Sequence, residues 1–194
     1  MEEQIVEVKQ EKVTNGWQSL RELIFFALIS LAIVAPVRIF IAQPFIVSGS
    51  SMFPTFKNSD YLIIDEISYR LKNPERYDVI IFRYPNDTTK FFIKRIMGLP
   101  GETIDIKGKD VSITNKENPN GFKLNQSFIN NEMNSEEHSV LKDNEYYVLG
   151  DNRNSSSDSR VWGVLPKKFI IGKAFLRLYT LNKIDYKPGY YQTN

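Results

Sequence analysis

The stretch KFFIKRIMG, Lys90 to Gly98, is rich in aromatic and β-branched residues and ends at a glycine. Such a composition favours a β-strand. Side chains alternate between the two faces of a strand, so Lys94 is expected to share its face with the large apolar side chains of Phe92 and Ile96. The stretch therefore predicts a strand that carries an amine among apolar neighbours.

Further runs of similar composition, separated by Gly, Pro, Asn and Asp, are also predicted strands. They are YLIID (Tyr61–Asp65), DVIIFRY (Asp78–Tyr84), TIDI (Thr103–Ile106), VSIT (Val111–Thr114), EYYVLG (Glu145–Gly150) and FIIGKAFLRLY (Phe169–Tyr179). Residues 107–142 are more polar, which predicts a loop or hairpin excursion. We therefore predict a mostly β domain over residues 43–184, followed by a C-terminal tail at 185–194.

The composition limits the classes of function. The chain has 194 residues, 42% of them hydrophobic, which is enough for one compact domain. Its net charge of +2 is too small for the basic field that is typical of nucleic-acid-binding proteins. The lack of cysteine excludes a thiol nucleophile, and the single histidine, His138, excludes a zinc site built on several histidines. We expect no nucleic-acid partner, no metal and no other cofactor.

A long apolar stretch precedes the β-rich region. LIFFALISLAIVAPVRIFIA, Leu23 to Ala42, is interrupted only by Ser30, Pro36 and Arg38. As a helix it would be roughly 30 Å long, about the thickness of the hydrocarbon layer of a bilayer. No polar stripe recurs at helical spacing, which argues against a buried amphipathic helix. The acidic leader at 1–22 argues against a cleaved signal peptide, so we predict one transmembrane helix at 23–42.

Three polar clusters carry candidate chemistry. VSGSSMFPT, Val47 to Thr55, predicts a tight turn whose N–H groups can converge, although an ordinary Gly/Ser turn has the same composition. Lys94 is a candidate general base if burial keeps its amine neutral, or else a surface lysine whose amine reaches water. GDNRNSSSDSRVWG, Gly150 to Gly163, is dense in hydrogen-bonding side chains but does not have the ligand pattern of a calcium-binding EF-hand.

In this order, behind an apolar segment, the clusters resemble the bacterial type I signal peptidase family. The resemblance covers roughly residues 38–184 and rests on the boxes SGSSMFPT, RYDVIIF, IKRIMGLPGE and GDNRNSSSDSR followed by WG. It implies a signal-peptidase-like, β-rich catalytic domain behind one transmembrane helix. It also implies a membrane-bound serine endopeptidase that removes signal peptides from exported preproteins.

The resemblance implies roles for individual residues. Ser51, directly before the methionine of the first box, matches the family's nucleophile, and Lys94 matches its general base. Ser156 matches the hydroxyl that orients the lysine amine. The charged residues that brace the site in the family are matched by Arg95, Asp151, Asp158 and Arg160.

The resemblance leaves the oxyanion hole open. Family members use the backbone N–H of the nucleophile, and many add a serine side chain two positions earlier, where this chain has Gly49. Either the Ser51 N–H donates alone, or Ser48 or Ser50 supplies the second donor. Family members cut after small residues in an Ala-x-Ala-like pattern, which an apolar pocket selects. The positions that match the walls of this pocket are Phe45, Val47, Met52, Phe56, Phe92 and Ile93.

The resemblance further implies a monomeric, single-pass protein of the cell membrane that acts on secretory preproteins. The leader would be cytoplasmic and the catalytic domain extracytoplasmic. Two alternatives remain. One is a specialised processing protease on the same Ser-Lys scaffold, and the other is a non-catalytic, membrane-tethered β domain that binds extended peptides along a sheet edge.

Overall fold

The computed structural model describes residues 16–36, 42–129, 135–180 and 183–191. The chain divides into two compact units, Met1–Ile39 and Phe40–Asn194. In the smaller unit, helix α1 (Gly16–Pro36) exposes every side chain from Ser19 to Val34. No helix in these ranges is both long and apolar enough to cross a membrane. The predicted span overlaps α1 as far as Pro36, and its residues 37–41 lie outside the described ranges. Its last residue, Ala42, is not helical but begins the first β-strand of the larger unit.

The larger unit is built mainly of β-strands. The strands are β1 (Ala42–Ile46), β2 (Tyr61–Asp65), β3 (Val79–Tyr84), β4 (Asp87–Gly98), β5 (Thr103–Gly108), β6 (Asp110–Thr114), β7 (Phe122–Lys123), β8 (Ser135–Val140), β9 (Glu145–Leu149), β10 (Leu165–Pro166), β11 (Ile170–Thr180) and β12 (Lys183–Tyr186). Its short helices are α2 (Ser68–Leu71), α3 (Ser159–Trp162) and the 3₁₀ turns Arg153–Ser155 and Lys167–Phe169.

The strands form two antiparallel sheets. The 8-stranded sheet has the order β1-β2-β11-β3-β4-β9-β10, with β12 paired to β11, and the 4-stranded sheet has the order β7-β6-β5-β8. The expectation of a mostly β fold is confirmed. The domain boundaries drawn from the sequence stay a prediction.

The central strand β3 is covered on both faces. Val79 and Ile81 pack into one apolar cluster, whereas Ile80 and Phe82 pack into another, and all four side chains are buried. Complete burial of one such side chain contributes about 1.5–3 kcal/mol. The neighbouring strand β4 is therefore paired with a strand that is packed on both of its faces.

Strand β4 changes partners along its length. It pairs with β3 over Phe91 to Arg95, but β9 joins its other edge only from Arg95, which lies opposite Leu149. Lys94 is the last residue before this second pairing begins. One edge of β4 before Arg95 is therefore not paired with β9, and the site described below lies beside it.

Candidate active site

The structure brings Ser51 and Lys94 together from distant parts of the chain. Lys94 Nζ lies 2.8 Å from Ser51 Oγ and donates a hydrogen bond of 2.9 Å to the carbonyl oxygen of Ile93. The Phe92 ring centroid lies 5.3 Å from the same nitrogen. A hydroxyl and an amine at this distance have the geometry required of a nucleophile and its general base.

Burial changes the proton affinity of this amine. Lys94 is only 4% exposed. Burial lowers the pKa of Lys94 to about 8, although the negative charges of Asp158 and Asp151 act in the opposite direction. At mildly alkaline pH a large fraction of the amine is therefore neutral and able to accept a proton.

Gly49 shapes the turn that carries Ser51, residues 47–55, which we call the serine turn. Its φ is +94°, a conformation that side-chain-bearing residues rarely adopt, and its N–H donates a hydrogen bond of 2.9 Å to Asn58 Oδ1. Two further bonds close the turn, from Phe53 N to Ser50 O at 3.0 Å and from Phe56 N to Met52 O at 2.8 Å. Gly49 therefore contributes to the turn through its backbone conformation and its N–H, not through a side chain.

The loop after β9 packs directly against the serine turn. A Cβ added to Gly150 would lie 2.2 Å from Ser156 Oγ and 2.6 Å from the Ser51 carbonyl oxygen, so only glycine fits there. Asn152 N donates a hydrogen bond of 2.9 Å to that same carbonyl oxygen. Ser156 Oγ is buried beside the Asp158 carboxylate, and its role toward Lys94 stays a prediction.

Two buried ion pairs brace this loop. Arg95 Nε and Nη2 lie 2.9 and 2.6 Å from the two carboxylate oxygens of Asp151. Arg160 Nε and Nη2 lie 2.8 Å from the two oxygens of Asp158, which also accepts a hydrogen bond of 3.0 Å from Gly150 N. The structure thus supplies the pairing, which the sequence left unassigned.

Sequence reasoning missed two residues of this loop, Asn152 and Arg153. Arg153 is 5% exposed and donates from Nε to Gly150 O at 3.0 Å. Burial, helped by the positive charge of Arg160, lowers the pKa of Arg153 to about 10. The only sequence signal for either residue is its place within the GDNRNSSSDSR box, because burial of an Asn or Arg cannot be read from one sequence.

A cavity of about 400 Å³ opens beside Ser51 and Lys94. Of the six residues that match the family's pocket, Phe45, Val47, Phe92 and Ile93 line it. Met52 and Phe56 do not line this cavity; they are 1% and 0% exposed in the core below the serine turn. Lining residues that the sequence did not indicate are Ile46, Leu62, Ile81, Lys90, Phe91 and Ser157.

The two candidate oxyanion serines differ in position. Ser48 lines the cavity together with Ser51, whereas Ser50 is not among its lining residues. The Ser50 carbonyl instead accepts hydrogen bonds inside the turn and from Asn152. If a second donor comes from a serine side chain, Ser48 is the better placed of the two.

Comparisons with known proteins indicate the family of this chain. Residues 20–179 match the family described as signal peptidase, peptidase S26. Probable signal peptidase I-2 of Synechocystis sp. is 37% identical, over 91% of this chain and 79% of its own length. Signal peptidase I of Leptolyngbya laminosa is 36% identical, over 80% of this chain and 78% of its own length.

A crystal structure of a signal peptidase I from Enterococcus faecalis is 28% identical and superposes with a TM-score of 0.44, covering 53% of this chain and 97% of its own. The family match spans most of the chain, and the two relatives match over most of their own length. The chain therefore belongs to the signal peptidase family, peptidase S26, and is a serine endopeptidase.

Proposed function

We propose that the chain cleaves signal peptides from secretory preproteins with Ser51 as nucleophile and neutral Lys94 as general base. One observation carries this proposal, namely the 2.8 Å separation of Lys94 Nζ and Ser51 Oγ at an amine that is only 4% exposed. A solvated lysine would be protonated at neutral pH and could not accept the serine proton. The family membership supports the same reaction.

The reaction follows from the two groups. Ser51 Oγ attacks the scissile carbonyl carbon while its proton moves to Lys94 Nζ. The resulting tetrahedral intermediate collapses to an ester on Ser51, and the ammonium of Lys94 returns the proton to the leaving amine. Lys94 then takes a proton from a water molecule that attacks the ester carbon, and it returns this proton to Ser51 Oγ as the ester bond breaks and the signal peptide leaves with a new C-terminal carboxyl group.

The surroundings of the dyad support a preference for small residues. The cavity beside Ser51 is walled by apolar side chains, including Val47, Phe92 and Ile93. Such walls accept a methyl group but overlap with a large side chain. We therefore propose cleavage after an Ala-x-Ala-like pattern. We also propose that the Ser51 N–H is the oxyanion donor.

We also propose that residues 23–42 anchor the chain in the membrane. The apolar side chains of α1 from Leu23 to Val34 are exposed within their unit, and exposed apolar surface of this extent favours a non-aqueous environment. Preproteins carry their cleavage sites at the membrane surface, so the catalytic domain would face the extracytoplasmic side. The proposed enzyme is a single-pass monomer.

The test is cleavage of a preprotein in detergent by the full chain and its variants. Ser51→Ala and Lys94→Ala should each lower turnover by more than about 1000-fold, because each removes one member of a coupled pair. Matched controls are Ser127→Ala and Lys107→Ala, which change exposed residues of the same types. The N-terminus of the product shows which bond is cut.

Near-normal turnover by Ser51→Ala or Lys94→Ala would overturn the proposed mechanism. Tight binding of the preprotein by wild type without any cleavage would favour the non-catalytic peptide-binding alternative. Cleavage of one dedicated substrate, and of no other preprotein, would favour the specialised processing protease.

A further inference from the structure

Asn152 holds the peptide units on both sides of Ser51. Its side-chain Nδ2 donates a hydrogen bond of 3.1 Å to Ser50 O, and its backbone N donates one of 2.9 Å to Ser51 O. Ser50 O also accepts the 3.0 Å bond from Phe53 N. One residue of the loop after β9 therefore contacts the carbonyl before and the carbonyl after the nucleophile.

The bond to Ser50 O determines where the Ser51 N–H points. Both groups belong to the same planar peptide unit, and in a trans peptide the carbonyl and the N–H point in opposite directions. Holding Ser50 O toward Asn152 and Phe53 therefore aims the Ser51 N–H away from them. Within the described ranges this N–H donates no hydrogen bond, so it is available to a bound group.

The same contact strengthens the donor. A carbonyl that accepts two hydrogen bonds polarises its peptide unit, which makes the attached N–H a better donor. Oxyanion stabilisation depends on donors that are oriented before the reaction begins. A peptide unit that is held on its carbonyl side meets this requirement without contact between Asn152 and the substrate.

Asn152 is itself held in place. It is 7% exposed and does not line the cavity beside the dyad. Its carbonyl oxygen accepts a hydrogen bond of 3.1 Å from Ser155 N, which fixes the start of the 3₁₀ turn Arg153–Ser155. The side chain therefore acts on the reaction through the Ser50–Ser51 peptide unit.

We propose that Asn152 is a positioning residue that orients the Ser51 N–H as the oxyanion donor. The inference rests on the proposed function, since it assigns Asn152 a part in transition-state stabilisation at the same site. It predicts that substitution of Asn152 weakens the stabilisation of the transition state and leaves substrate binding unchanged.

The experiment compares Asn152→Ala and Asn152→Asp with Asn154→Ala and Asn154→Asp in the 194-residue chain. Asn154 is an exposed asparagine two residues further along the same loop, so it controls for a general effect of the substitution. Asp has the shape of Asn but presents only acceptor oxygens to Ser50 O when it is ionised. Rates are taken on the alkaline plateau of each variant, so that a shifted Lys94 titration does not affect the comparison.

We expect both Asn152 variants to lower kcat by about 10- to 100-fold, somewhat less than the complete loss of an oxyanion donor. KM and the midpoint of the pH profile should stay within about twofold and 0.3 pH units of wild type, because neither substrate binding nor the amine is changed. A peptide aldehyde, which forms a tetrahedral adduct with a serine, should bind about 10- to 100-fold more weakly. An unreactive peptide of the same sequence should bind equally well.

Unchanged kcat in both Asn152 variants, or a loss confined to KM, would overturn the inference. Failure of both to fold would also overturn it, because Asn152 would then support the whole loop rather than one peptide unit. The proposed function is judged separately. It stands if Ser51→Ala and Lys94→Ala are inactive even when Asn152→Ala is fully active, and it fails if Ser51→Ala cleaves.

Discussion

Arg95 and Asp151 form a bidentate ion pair in which each side chain is only 1% exposed. Arg95 follows Lys94 in β4, and Asp151 precedes Asn152, whose N–H bonds to the serine turn. Thr55 Oγ1 donates a hydrogen bond of 2.6 Å to Asp151 Oδ2. The ion pair therefore joins the strand that carries the amine to the turn that carries the hydroxyl.

Asp151→Ala should lower the free energy of unfolding by about 3–5 kcal/mol, because it leaves the buried guanidinium of Arg95 without a counter-charge. Urea denaturation at pH 7 measures this loss. The matched control is Asp110→Ala, which removes an ion pair of 2.7 Å to Lys123 whose side chains are 47% and 71% exposed. An exposed ion pair contributes less than about 1 kcal/mol. Equal losses of unfolding free energy in the two variants would therefore show that the Arg95–Asp151 pair stabilises the fold no more than an exposed pair does.

Activity should rise from neutral to mildly alkaline pH. In the proposed mechanism the neutral amine of Lys94 is the active form, and its fraction increases as pH passes the pKa of about 8. Between pH 7 and pH 9, kcat/KM should increase about tenfold for a single group with this pKa. A flat profile, or a midpoint near the ordinary lysine value of 10.5, would show that Lys94 is not a buried base.

The buried amine should make the protein less stable at neutral pH. The gap between a pKa of about 8 in the fold and the ordinary 10.5 corresponds to roughly 3 kcal/mol. Between these values the unfolded chain binds more protons than the folded chain, so stability rises with pH. Lys94→Met removes the titrating group while keeping a similar volume.

We therefore expect Lys94→Met to raise the free energy of unfolding at pH 7 by about 1–3 kcal/mol while abolishing cleavage. The gain should shrink as pH rises from 8 toward 10.5, since wild type then loses its penalty. Urea denaturation of both proteins at pH 7 and pH 10 measures the difference. If the increase in the free energy of unfolding is the same at both pH values, it comes from the packing of Met and not from removal of the titrating amine.

Enlarging the cavity should broaden the choice of substrate. Ile93 lines the cavity, whereas Phe56 lies in the core below the serine turn. We compare two substrates that have either Val or Ala directly before the cut. Ile93→Ala should increase the ratio of kcat/KM for the Val substrate to kcat/KM for the Ala substrate by about 10-fold. The reason is that one or two methylene groups in an apolar pocket are worth about 1–3 kcal/mol. Phe56→Leu should reduce stability but leave this ratio unchanged. Equal ratios in all three proteins would exclude Ile93 from the selecting wall.

Five strands of the large sheet, β2, β3, β4, β9 and β11, were predicted because their composition is distinctive, whereas β1, β10 and β12 were not. The predicted strand at Tyr61–Asp65 coincides with β2, and the predicted strand at Lys90–Gly98 lies within β4. Strand β8, SEEHSV, was not predicted, because its side chains are polar and it is held by pairing with β5. Short strands such as β7 and β10 have two residues each, too few to show an alternating pattern.

Order along the chain determined which side chains were candidates. The serine box and the lysine box indicated Ser51 and Lys94, which the fold brings to 2.8 Å although 43 positions separate them. The pocket was only partly predictable: Met52 and Phe56 are as apolar as Ile93, but the turn directs them into the core. Apolar character alone does not distinguish a cavity wall from a core position.

Residue type and local pattern, which are properties of the chain alone, were enough to predict a β-rich chain with a candidate amine at Lys94, and the resemblance of its motifs to a family added Ser51 and four bracing charges. The burial of Lys94, the pairing of Arg95 with Asp151 and the contacts of Asn152 with the carbonyls beside Ser51 became visible only in the folded chain. These contacts join β4, the loop after β9 and the serine turn. The lowered pKa of Lys94 and the orientation of the Ser50–Ser51 peptide unit both depend on neighbouring groups. These neighbours come from segments that are distant in the sequence and become adjacent only when the chain folds.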